Sequence, residues 1–318
     1  MLKLINCLRQ LRADRFTSGE TVAEKLGISR ASVSMTLARA EEYGIALERR
    51  HGLGYRLLMP IEWLDPAQIK ACLPATSLLN VQICDSTEST NRTLFATANH
   101  GQVLAAEWQS AGRGRLGRKW LGELGSSLLF SLAWTFPEGP AQLMGLPLAV
   151  GVALSRALRA AGVREIGLKW PNDLLLPGGK AGGILIEMQG DAMGPAQVVI
   201  GVGINLHSPV DWAETLGQPV ACLQEHGLQS GRNALLGSCL AGLEQTLQQF
   251  SREGLAPFRD EWEALHVWQG CEAEVSTPDG RHLVGMILGI AADGALRLQV
   301  GQDERQFYSG DVSLRRKP

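Results

Sequence analysis

The chain has 318 residues, of which 45% are hydrophobic and 19% are charged. This length accommodates two or three domains with buried cores, and this composition excludes a disordered or fibrous chain. The formal net charge of −2 is unevenly distributed, because residues 1–60 carry ten lysines and arginines against six acidic residues, a net charge of +4. The rest of the chain therefore carries −6. A basic N-terminal module on an acidic body is predicted.

The six cysteines are scattered, form no CxxC pair and have no histidine nearby at the spacing of zinc ligands. In a chain of this length, that pattern predicts isolated thiols in a reducing compartment rather than a disulfide framework. The first residues carry charges every few positions, which argues against a signal peptide and against a membrane span. We therefore expect a cytoplasmic protein without a membrane partner.

Three sections follow one another along the chain. Two prolines bracket a short junction near residue 63, which predicts one domain at residues 1–63 and a second at residues 64–268. The second section alternates strand-like runs with helical patterns, whereas residues 269–318 carry closely spaced turn signals such as Pro278–Gly280. Short alternating runs between such turns predict a small C-terminal β-barrel. The predicted fold class is α+β with several domains.

The N-terminal section has the pattern of a winged helix-turn-helix. A first helix is predicted from apolar residues at helical spacing, namely Leu2, Leu4, Ile5, Leu8 and Leu11. A hydroxyl at position 17 or 18 can cap a second helix, and Gly27 supplies the tight turn after it. Ser29 is predicted to cap a third helix over residues 31–44. Two basic residues, a glycine-containing tip and an apolar return strand at residues 48–58 predict the wing.

A helix-turn-helix with a wing is a DNA-binding arrangement. The outward positions of the third helix are short or cationic, which suits the floor of a groove and its phosphates. The predicted DNA contacts are Ser29, Arg30, Ser32, Ser34, Thr36 and Arg39 around this helix, with Arg49 and Arg50 in the wing. The alternative is a helical protein-interaction domain with solvated charges.

The most informative stretch is GRGRLGRKW at residues 112–120, called the arginine loop below. Its glycines allow close approach of the backbone to a ligand, and arginine binds carboxylates or phosphates with two hydrogen bonds. Its four cations repel one another, so we expect a mobile loop until an anion neutralises it. A dinucleotide-binding GxGxxG motif is disfavoured, because a strand rather than a helix is predicted after the loop. The other alternative is a solvated basic loop.

Four further motifs lie at the ends of predicted strands. Asp173 in KWPND (169–173) follows an apolar run and a proline, which suits a metal–nucleotide site, although PND is also a common turn. Lys180 stands among small residues and is predicted to project into a cleft. The glycines of GVGIN (201–205) indicate either direct packing on the backbone or a bulge. The hydroxyls in DSTESTN (85–91) can cap a helix or bind a ligand.

Taken together, these motifs resemble those of the biotin–protein ligases in order and in spacing. The motifs are STN at 89–91, QSAGRGRLGRKW at 109–120, KWPND at 169–173, KAGGIL at 180–185 and GVGIN at 201–205. With a winged helix before them, the chain resembles the bifunctional, BirA-like ligases that also repress the biotin operon, over nearly its whole length. The resemblance implies an SH2-like mixed sheet with helices in the centre and an SH3-like barrel at the C-terminus.

The resemblance further implies an ATP-dependent ligase that forms biotinyl-5'-AMP and passes biotin to a lysine of the biotin carboxyl carrier protein of acetyl-CoA carboxylase. ATP and Mg²⁺ are the implied cofactors, and biotin is the substrate. The implied repressor binds operator DNA of biotin synthesis genes as an adenylate-bound homodimer, with biotinyl-AMP as corepressor. Two alternatives are a non-catalytic transcription regulator that senses a small anion, and a ligase for lipoate.

The family's residue roles map onto this chain by motif. Arg115, Lys180 and Asp173 are the implied catalytic residues, and Asp173 is also implied at the Mg²⁺. Contacts to biotin or its adenylate are implied for Ser89, Thr90, Asn91, Gln109, Arg113, Gly114, Arg115, Lys169, Lys180, Gly183, Gly201, Gly203 and Asn205. The chain departs from the family pattern at Leu116, where an arginine is common, and at Val220–Leu223, which lacks an aromatic residue that some relatives place against adenine.

Overall fold

The computed structural model describes residues 1–97, 99–137, 139–190, 194–207, 217–277, 280–308 and 313–316. It contains an N-terminal helical module with a two-stranded wing, a seven-stranded mixed sheet with helices and a five-stranded antiparallel sheet. The predicted α+β class and the order of its parts are confirmed. The boundaries after residues 63 and 268 stay predictions, and Pro278–Asp279 of the predicted turn lies outside the described residues. Among the described residues, the cysteines form no disulfide bond.

The N-terminal module is a helix-turn-helix followed by a wing. Its elements are α1 (Leu2–Arg9), α2 (Gly19–Leu26), α3 (Arg30–Leu37), β1 (Leu47–Arg50) and β2 (Gly54–Leu57). The Ser18 hydroxyl accepts a hydrogen bond from the Thr21 backbone N–H, and the Ser29 hydroxyl accepts one from the Ser32 backbone N–H. Both predicted helix caps are therefore present. Gly27 makes the turn between α2 and α3 in a left-handed conformation, with φ of 63°.

Two details of this module differ from the sequence prediction. The third helix ends at Leu37 instead of continuing to Gly44. After Leu37 the backbone hydrogen bonds join residues three apart instead of four. A 3-10 turn therefore forms over Ala40–Tyr43. Leu2 is 58% exposed and does not face the core, because at about 100° per residue it falls outside the stripe of the other four apolar positions.

A seven-stranded mixed sheet forms the centre of the molecule. Its strands are β3 (Asn80–Cys84), β4 (Gln102–Ala106), β5 (Ser127–Phe136), β6 (Gly167–Lys169), β7 (Asp173–Leu176), β8 (Gly179–Gly190) and β9 (Ala196–Asn205). They lie in the order β3–β4–β5–β9–β8–β7–β6, with β3 and β4 parallel and the other described pairs antiparallel. The helices of this part are α4 (Pro66–Lys70), α5 (Thr90–Phe95), α6 (Leu146–Ala160), α7 (Arg232–Glu253) and α8 (Arg259–Leu265).

The residues of β9 alternate between the two faces of this sheet. Ile200, Val202 and Ile204 belong to the main hydrophobic core, which also contains the apolar residues of α6 and α7. Gly201 and Gly203 therefore lie on the opposite face, because successive side chains of a strand point to opposite sides. The face of the sheet away from α6 and α7 thus has positions without side chains at its centre.

Two side chains occupy the space that these glycines leave. Gly203 is paired with Gly183 on β8, and the indole ring of Trp120 lies where a Cβ on Gly203 would be. The side chain of Asn91 lies in the same way on Gly201. The prediction that a group packs directly on the GVGIN backbone is confirmed. Gly183, Gly201 and Gly203 are called the glycine floor below.

Helix α6 lies in the core. Among the described residues, the stretch Pro140–Ala160 is the one helical segment long and apolar enough to cross a membrane. However, 72% of its most apolar window is buried inside the molecule. The central part of a globular core has the same composition as a membrane span, so this burial accounts for the apolar character of the stretch.

The C-terminal part is a five-stranded antiparallel sheet. Its strands are β10 (Glu272–Ser276), β11 (His282–Ile290), β12 (Leu296–Val300), β13 (Asp303–Phe307) and β14 (Ser313–Arg316). They lie in the order β13–β12–β11–β10–β14. The described strands form an open sheet, so the closed SH3-like barrel stays a prediction. The sheet shares the main core with the central part, and the Trp170 indole N–H donates to the Gly294 carbonyl at 3.1 Å.

The N-terminal module packs against the segment that contains the arginine loop. Leu124 is 1% exposed and belongs to the hydrophobic core of the N-terminal module. The rings of Tyr43 and Trp108 meet edge to face with centroids 5.4 Å apart. Arg9 of α1 pairs with Asp85 at 2.7 Å. Both flanks of the arginine loop therefore contact the N-terminal module, Trp108 on one side and Leu124 on the other.

The glycine floor generates a prediction about stability. In Gly203→Ala the added methyl group overlaps the Trp120 indole, and displacing that ring should lower the free energy of unfolding by about 1–3 kcal/mol. In the control Gly242→Ala, within α7, the nearest atom to the new Cβ is a carbonyl oxygen at 3.6 Å. Helix propensity should then raise the free energy of unfolding by about 0.5–1 kcal/mol. Urea denaturation measures both changes, and an unchanged value for Gly203→Ala would contradict the packing described.

Candidate functional site

A cavity of about 820 Å³ opens on the glycine floor. The arginine loop, the start of α5, the β6–β7 turn and the beginning of β8 surround it. All the residues predicted to contact biotin, its adenylate or a metal line this cavity, namely Ser89, Thr90, Asn91, Gln109, Arg113, Gly114, Arg115, Lys169, Asp173, Lys180, Gly183, Gly201, Gly203 and Asn205. The structure therefore brings together in one place motifs that are spread over more than a hundred residues of the chain.

One end of the cavity carries a network of uncharged polar groups at the start of α5. The Gln109 Oε1 atom accepts hydrogen bonds from the Thr90 backbone N–H at 2.6 Å and from the Thr90 hydroxyl at 3.0 Å. The Ser131 hydroxyl lies 2.7 Å from Thr90 Oγ1 and 2.6 Å from Asn91 Oδ1. Ser89 caps α5 by accepting a bond from the Arg92 backbone N–H, at 3.5 Å. Ser89, Thr90, Asn91 and Ser131 are buried and Gln109 is half-buried, so the network is already formed without a ligand.

The other end of the cavity is cationic. Lys180 Nζ lies 2.5 Å from the Asp173 carboxylate, and Lys169 Nζ lies 3.9 Å from it. The two ammonium groups also face aromatic rings, with Lys180 5.6 Å from the Trp120 centroid and Lys169 4.6 Å from the Trp268 centroid. Asp173 and the two rings therefore hold both lysines at the cavity wall, where they can meet an anionic ligand.

The arginine loop forms a short hairpin above this end. The Gly114 N–H donates to the Arg118 carbonyl at 2.7 Å, and the Trp120 N–H donates to the Gly112 carbonyl at 2.8 Å. Leu116, at its tip, has a left-handed backbone with φ of 55° and is 55% exposed. Apart from a single 3-10 turn over Arg115–Gly117, the loop leads into β5 and opens no α-helix, so the dinucleotide-binding alternative is excluded.

The arginines of the loop reach other motifs. Arg115 Nη1 donates to Asn172 Oδ1 at 3.3 Å, and Arg113 forms an ion pair with Glu187. Six cations line the cavity, namely Arg113, Arg115, Arg118, Lys119, Lys169 and Lys180, and Asp173 is the acidic residue of its described lining. Such an excess of positive charge favours a ligand that carries several negative charges.

Three of these groups were not named as site residues by the sequence reasoning. Ser131 fixes Thr90 and Asn91, Glu187 accepts a bond from Asn91 Nδ2 at 2.9 Å, and Trp120 covers Gly203. Ser131 and Glu187 lie inside apolar strands, where a polar residue is itself a signal. Their partners, however, are 40 or more residues away in the chain, and no local pattern identifies such pairs.

No dedicated metal cage is formed by the described residues. Groups of three or more His, Cys, Asp or Glu side chains do not converge anywhere in them. Asp173 is therefore a single carboxylate beside a cationic wall. A lone carboxylate of this kind suits Mg²⁺ that is held mostly by phosphate oxygens and water.

The residues predicted to contact DNA lie in and around α3 and at the end of β1. Ser29, Arg30, Arg39, Arg49 and Arg50 are exposed, whereas Ser32, Ser34 and Thr36 are half-buried. Two of the arginines already have acidic neighbours, since Arg39 pairs with Glu42 at 2.8 Å and Arg50 with Glu48 at 2.6 Å. Exposed pairs of this kind are weak and can be exchanged for phosphate contacts.

The centre of the outward face of α3 is a residue that the sequence reasoning did not include. Met35 is 67% exposed, and Val33 and Leu37 on either side of it are buried. At about 100° per residue Met35 points directly away from those core residues. An apolar group at the centre of a DNA-reading helix suits contact with the methyl group of thymine.

Known proteins share these features. Residues 81–205 match the Biotin/lipoate A/B protein ligase family, residues 271–315 match the Biotin protein ligase C terminal domain, and residues 3–56 match an HTH domain. The bifunctional ligase/repressor BirA of Escherichia coli is 35% identical over 99% of this chain and 97% of that protein. That of Bacillus subtilis is 30% identical over 95% of this chain and 94% of that protein.

Solved structures agree with the sequence comparison. A biotin protein ligase from Aquifex aeolicus, in complex with biotin and ATP, matches with a TM-score of 0.66 and 28% identity over 75% of this chain and 99% of that chain. The apo structure of the same ligase has a TM-score of 0.62. Fold, motif convergence and relatives lead to one conclusion. The chain belongs to the biotin protein ligase family. It has the helix-turn-helix module of the bifunctional ligase/repressors in that family and matches them over nearly its whole length.

Proposed function

We propose that this chain joins biotin to AMP with ATP as the donor and then transfers biotin to a lysine of a biotin carboxyl carrier protein. The observation that carries the proposal is the cavity itself. Uncharged buried groups at one end and six cations at the other suit a ligand with a neutral polar head and a polyanionic tail. Biotin together with ATP has that distribution of charge.

The polar end is suited to the neutral ring system of biotin. Gln109 binds Thr90, and Ser131 binds both Thr90 and Asn91, so these polar groups are oriented before a ligand binds. A rigid hydrogen-bonding group rejects ligands that lack the matching polar atoms, because buried groups would then lose their partners. This end therefore supplies selectivity between biotin and other carboxylic acids.

The cationic end is suited to the reaction. When the biotin carboxylate attacks the α-phosphate, two anions approach each other, and charge develops on the phosphate oxygens. Lys180 and Arg115 supply positive charge at that point without rearrangement, since Asp173 holds Lys180 and Asn172 contacts Arg115. Lys169 adds a third cation on the same wall.

Asp173 is the residue proposed for Mg²⁺. Bound together with ATP, the ion would neutralise phosphate charge. In its absence the same carboxylate orients Lys180 and Lys169.

The arginine loop is the proposed cover over the adenylate. Its cations lie above the wall formed by Lys180 and Asp173, and an anion between them relieves their mutual repulsion. Biotinyl-AMP is a mixed anhydride that water hydrolyses, so a closed loop preserves it until the acceptor lysine arrives.

The N-terminal module is proposed to bind operator DNA as part of an adenylate-bound homodimer, in the cytoplasm. Its net charge of +4 over residues 1–60 is modest, and two modules on two half-sites bind far more tightly than one. Biotinyl-AMP would act as corepressor by ordering the arginine loop. Enzyme activity and repression would then respond to the same ligand.

The ligase proposal is tested by incubating the purified protein with biotin, Mg·ATP and a biotin-carboxyl-carrier domain, followed by intact mass of the carrier. One biotin adduct that requires ATP is expected. No adduct and no biotin-dependent release of pyrophosphate would favour a sensor without catalysis. An adduct with lipoate in place of biotin would favour a lipoate ligase, which the matched family also includes.

The same assay tests the cationic wall. Lys180→Gln removes charge at the reacting phosphate and should lower turnover by about 10²–10³-fold. Lys70→Gln removes an exposed cation at the end of α4, outside the cavity lining, and should change turnover by less than about threefold. Equal losses in the two variants would contradict the role proposed for Lys180.

DNA recognition is tested with the sequence that the protein selects from a random DNA pool in the presence of biotin and Mg·ATP. Arg49→Ala should weaken binding to all sequences and reduce the salt slope by about one. Met35→Ala should leave that slope unchanged and remove the preference for thymine over uracil at one position, because uracil lacks the methyl group. An unchanged preference would contradict base contact by Met35.

A further inference from the structure

One buried arginine outside the cavity contacts both ends of the segment that carries the arginine loop. Arg232 is the first residue of α7 and is 3% exposed. Its Nε and Nη2 atoms donate to the Ser127 carbonyl at 3.2 and 2.9 Å, and its Nη1 atom forms an ion pair with Glu107. Glu107 directly precedes the segment 108–126, and Ser127 directly follows it. A single guanidinium group therefore joins the two ends of this segment.

The same group also contacts the stretch between the N-terminal module and the central sheet. Arg232 Nη1 donates to the Glu62 carbonyl at 3.2 Å, and the Leu64 N–H donates to Glu107 Oε1 at 2.7 Å. The Glu62 carboxylate accepts bonds from the backbone N–H groups of Arg232 and Asn233 at 2.7 and 3.0 Å. Burial opposes its ionisation, but the backbone bonds from Asn233 and Arg232 lower the pKa of Glu62. Residues 62–64 are thereby fixed at the start of α7.

Each end of the segment lies next to the cavity. Gln109, two residues after Glu107, binds the Thr90 backbone at 2.6 Å. Ser127 is paired with Asn205, whose side chain donates to the Lys180 carbonyl at 3.2 Å. Glu107 and Ser127, the two contacts of Arg232, are therefore each close to a residue that lines the ligand cavity. A shift of either contact would move that residue.

Stability alone does not explain a cluster of this kind. Removing ions from water is costly, and well-packed apolar side chains often stabilise a core as well as a buried ion pair does. A guanidinium group can do what apolar side chains cannot. Its five N–H donors lie in one rigid plane, so it can hold several acceptors in a fixed arrangement. Here those acceptors belong to three separate segments.

We propose that Arg232 is a positioning residue for the adenylation site, which fixes the two ends of the arginine-loop segment through Glu107 and Ser127. The proposal rests on the ligase function proposed above. Arg232 does not touch the ligand cavity in the described residues. Its effect is to limit how far the loop can move away from the glycine floor once adenylate is bound.

The test compares Arg232→Lys with the double variant Arg232→Met, Glu107→Leu. Lysine keeps the charge opposite Glu107 but cannot reach Ser127 and Glu62 together. The double variant removes both buried charges, so that neither is left unpaired. Arg156→Lys is the matched control, because Arg156 pairs with Glu261 at an exposed site in α6 and α8. Circular dichroism verifies that each variant is folded.

Two measurements separate the proposal from the ligase function. The first is the rate of trypsin cleavage within residues 112–120 without ligand, which should rise in both Arg232 variants by about 10-fold and stay unchanged in Arg156→Lys. The second is the rate of biotinyl-AMP release, which should rise by about 10- to 100-fold with a matching rise in the KM for biotin and a smaller change in kcat.

Unchanged cleavage and unchanged adenylate release in the folded double variant would overturn the proposal. Full rescue of both by lysine would also overturn it, because charge without geometry would then suffice. If the unmodified protein forms no adenylate, the ligase proposal fails, and the cleavage rates still decide whether Arg232 fixes the loop.

Discussion

The site depends on the absence of side chains at three adjacent points of the central sheet. Gly183 and Gly203 are paired across β8 and β9, and Gly201 follows on the same face. The Trp120 indole and the Asn91 side chain occupy the space so released. Any larger residue in the glycine floor would push these two groups outward, and with them the arginine loop and the start of α5. The depth and shape of the cavity therefore follow from backbone positions rather than from the groups that perform the chemistry.

The second determinant of the site is the positive charge around the cavity that the glycine floor creates. Six cations around one cavity repel one another, and a protein can hold them only with nearby anions and aromatic rings. Asp173 and Glu187 provide part of the compensation, and the rings of Trp120 and Trp268 provide more. The cations around the cavity still outnumber these anions, so negative charge from a ligand is needed to balance them. A polyanionic ligand would therefore both fill the cavity and offset the repulsion among these cations.

Local sequence patterns were sufficient for some parts of the structure and not for others. The caps by Ser18 and Ser29 and the turn at Gly27 were predictable, because each depends on residues within four positions. The end of α3 at Leu37 was not, because helical periodicity continues to Gly44 while the backbone tightens. Motif residues such as Asp173 and Lys180 were predicted from the family resemblance, and the fold confirmed that they lie together.

Residues that act through distant partners were invisible in the sequence. Ser131 and Glu187 look like occasional polar residues in apolar strands, and Arg232 looks like a surface arginine at a helix start. Their importance lies in contacts 40 to 170 residues away along the chain. Strand pairing creates these contacts, and a single sequence without its fold does not reveal them.

The proposed function requires the cationic loop to close over a polyanion on the glycine floor. Hydrogen exchange of the backbone amides in residues 112–120 tests this most directly, with no ligand, with biotin, with Mg·ATP and with both. We expect a small gain in protection with either ligand alone and a large gain when both are present and adenylate forms. Exchange that stays unchanged while calorimetry records saturating binding of both ligands would contradict it.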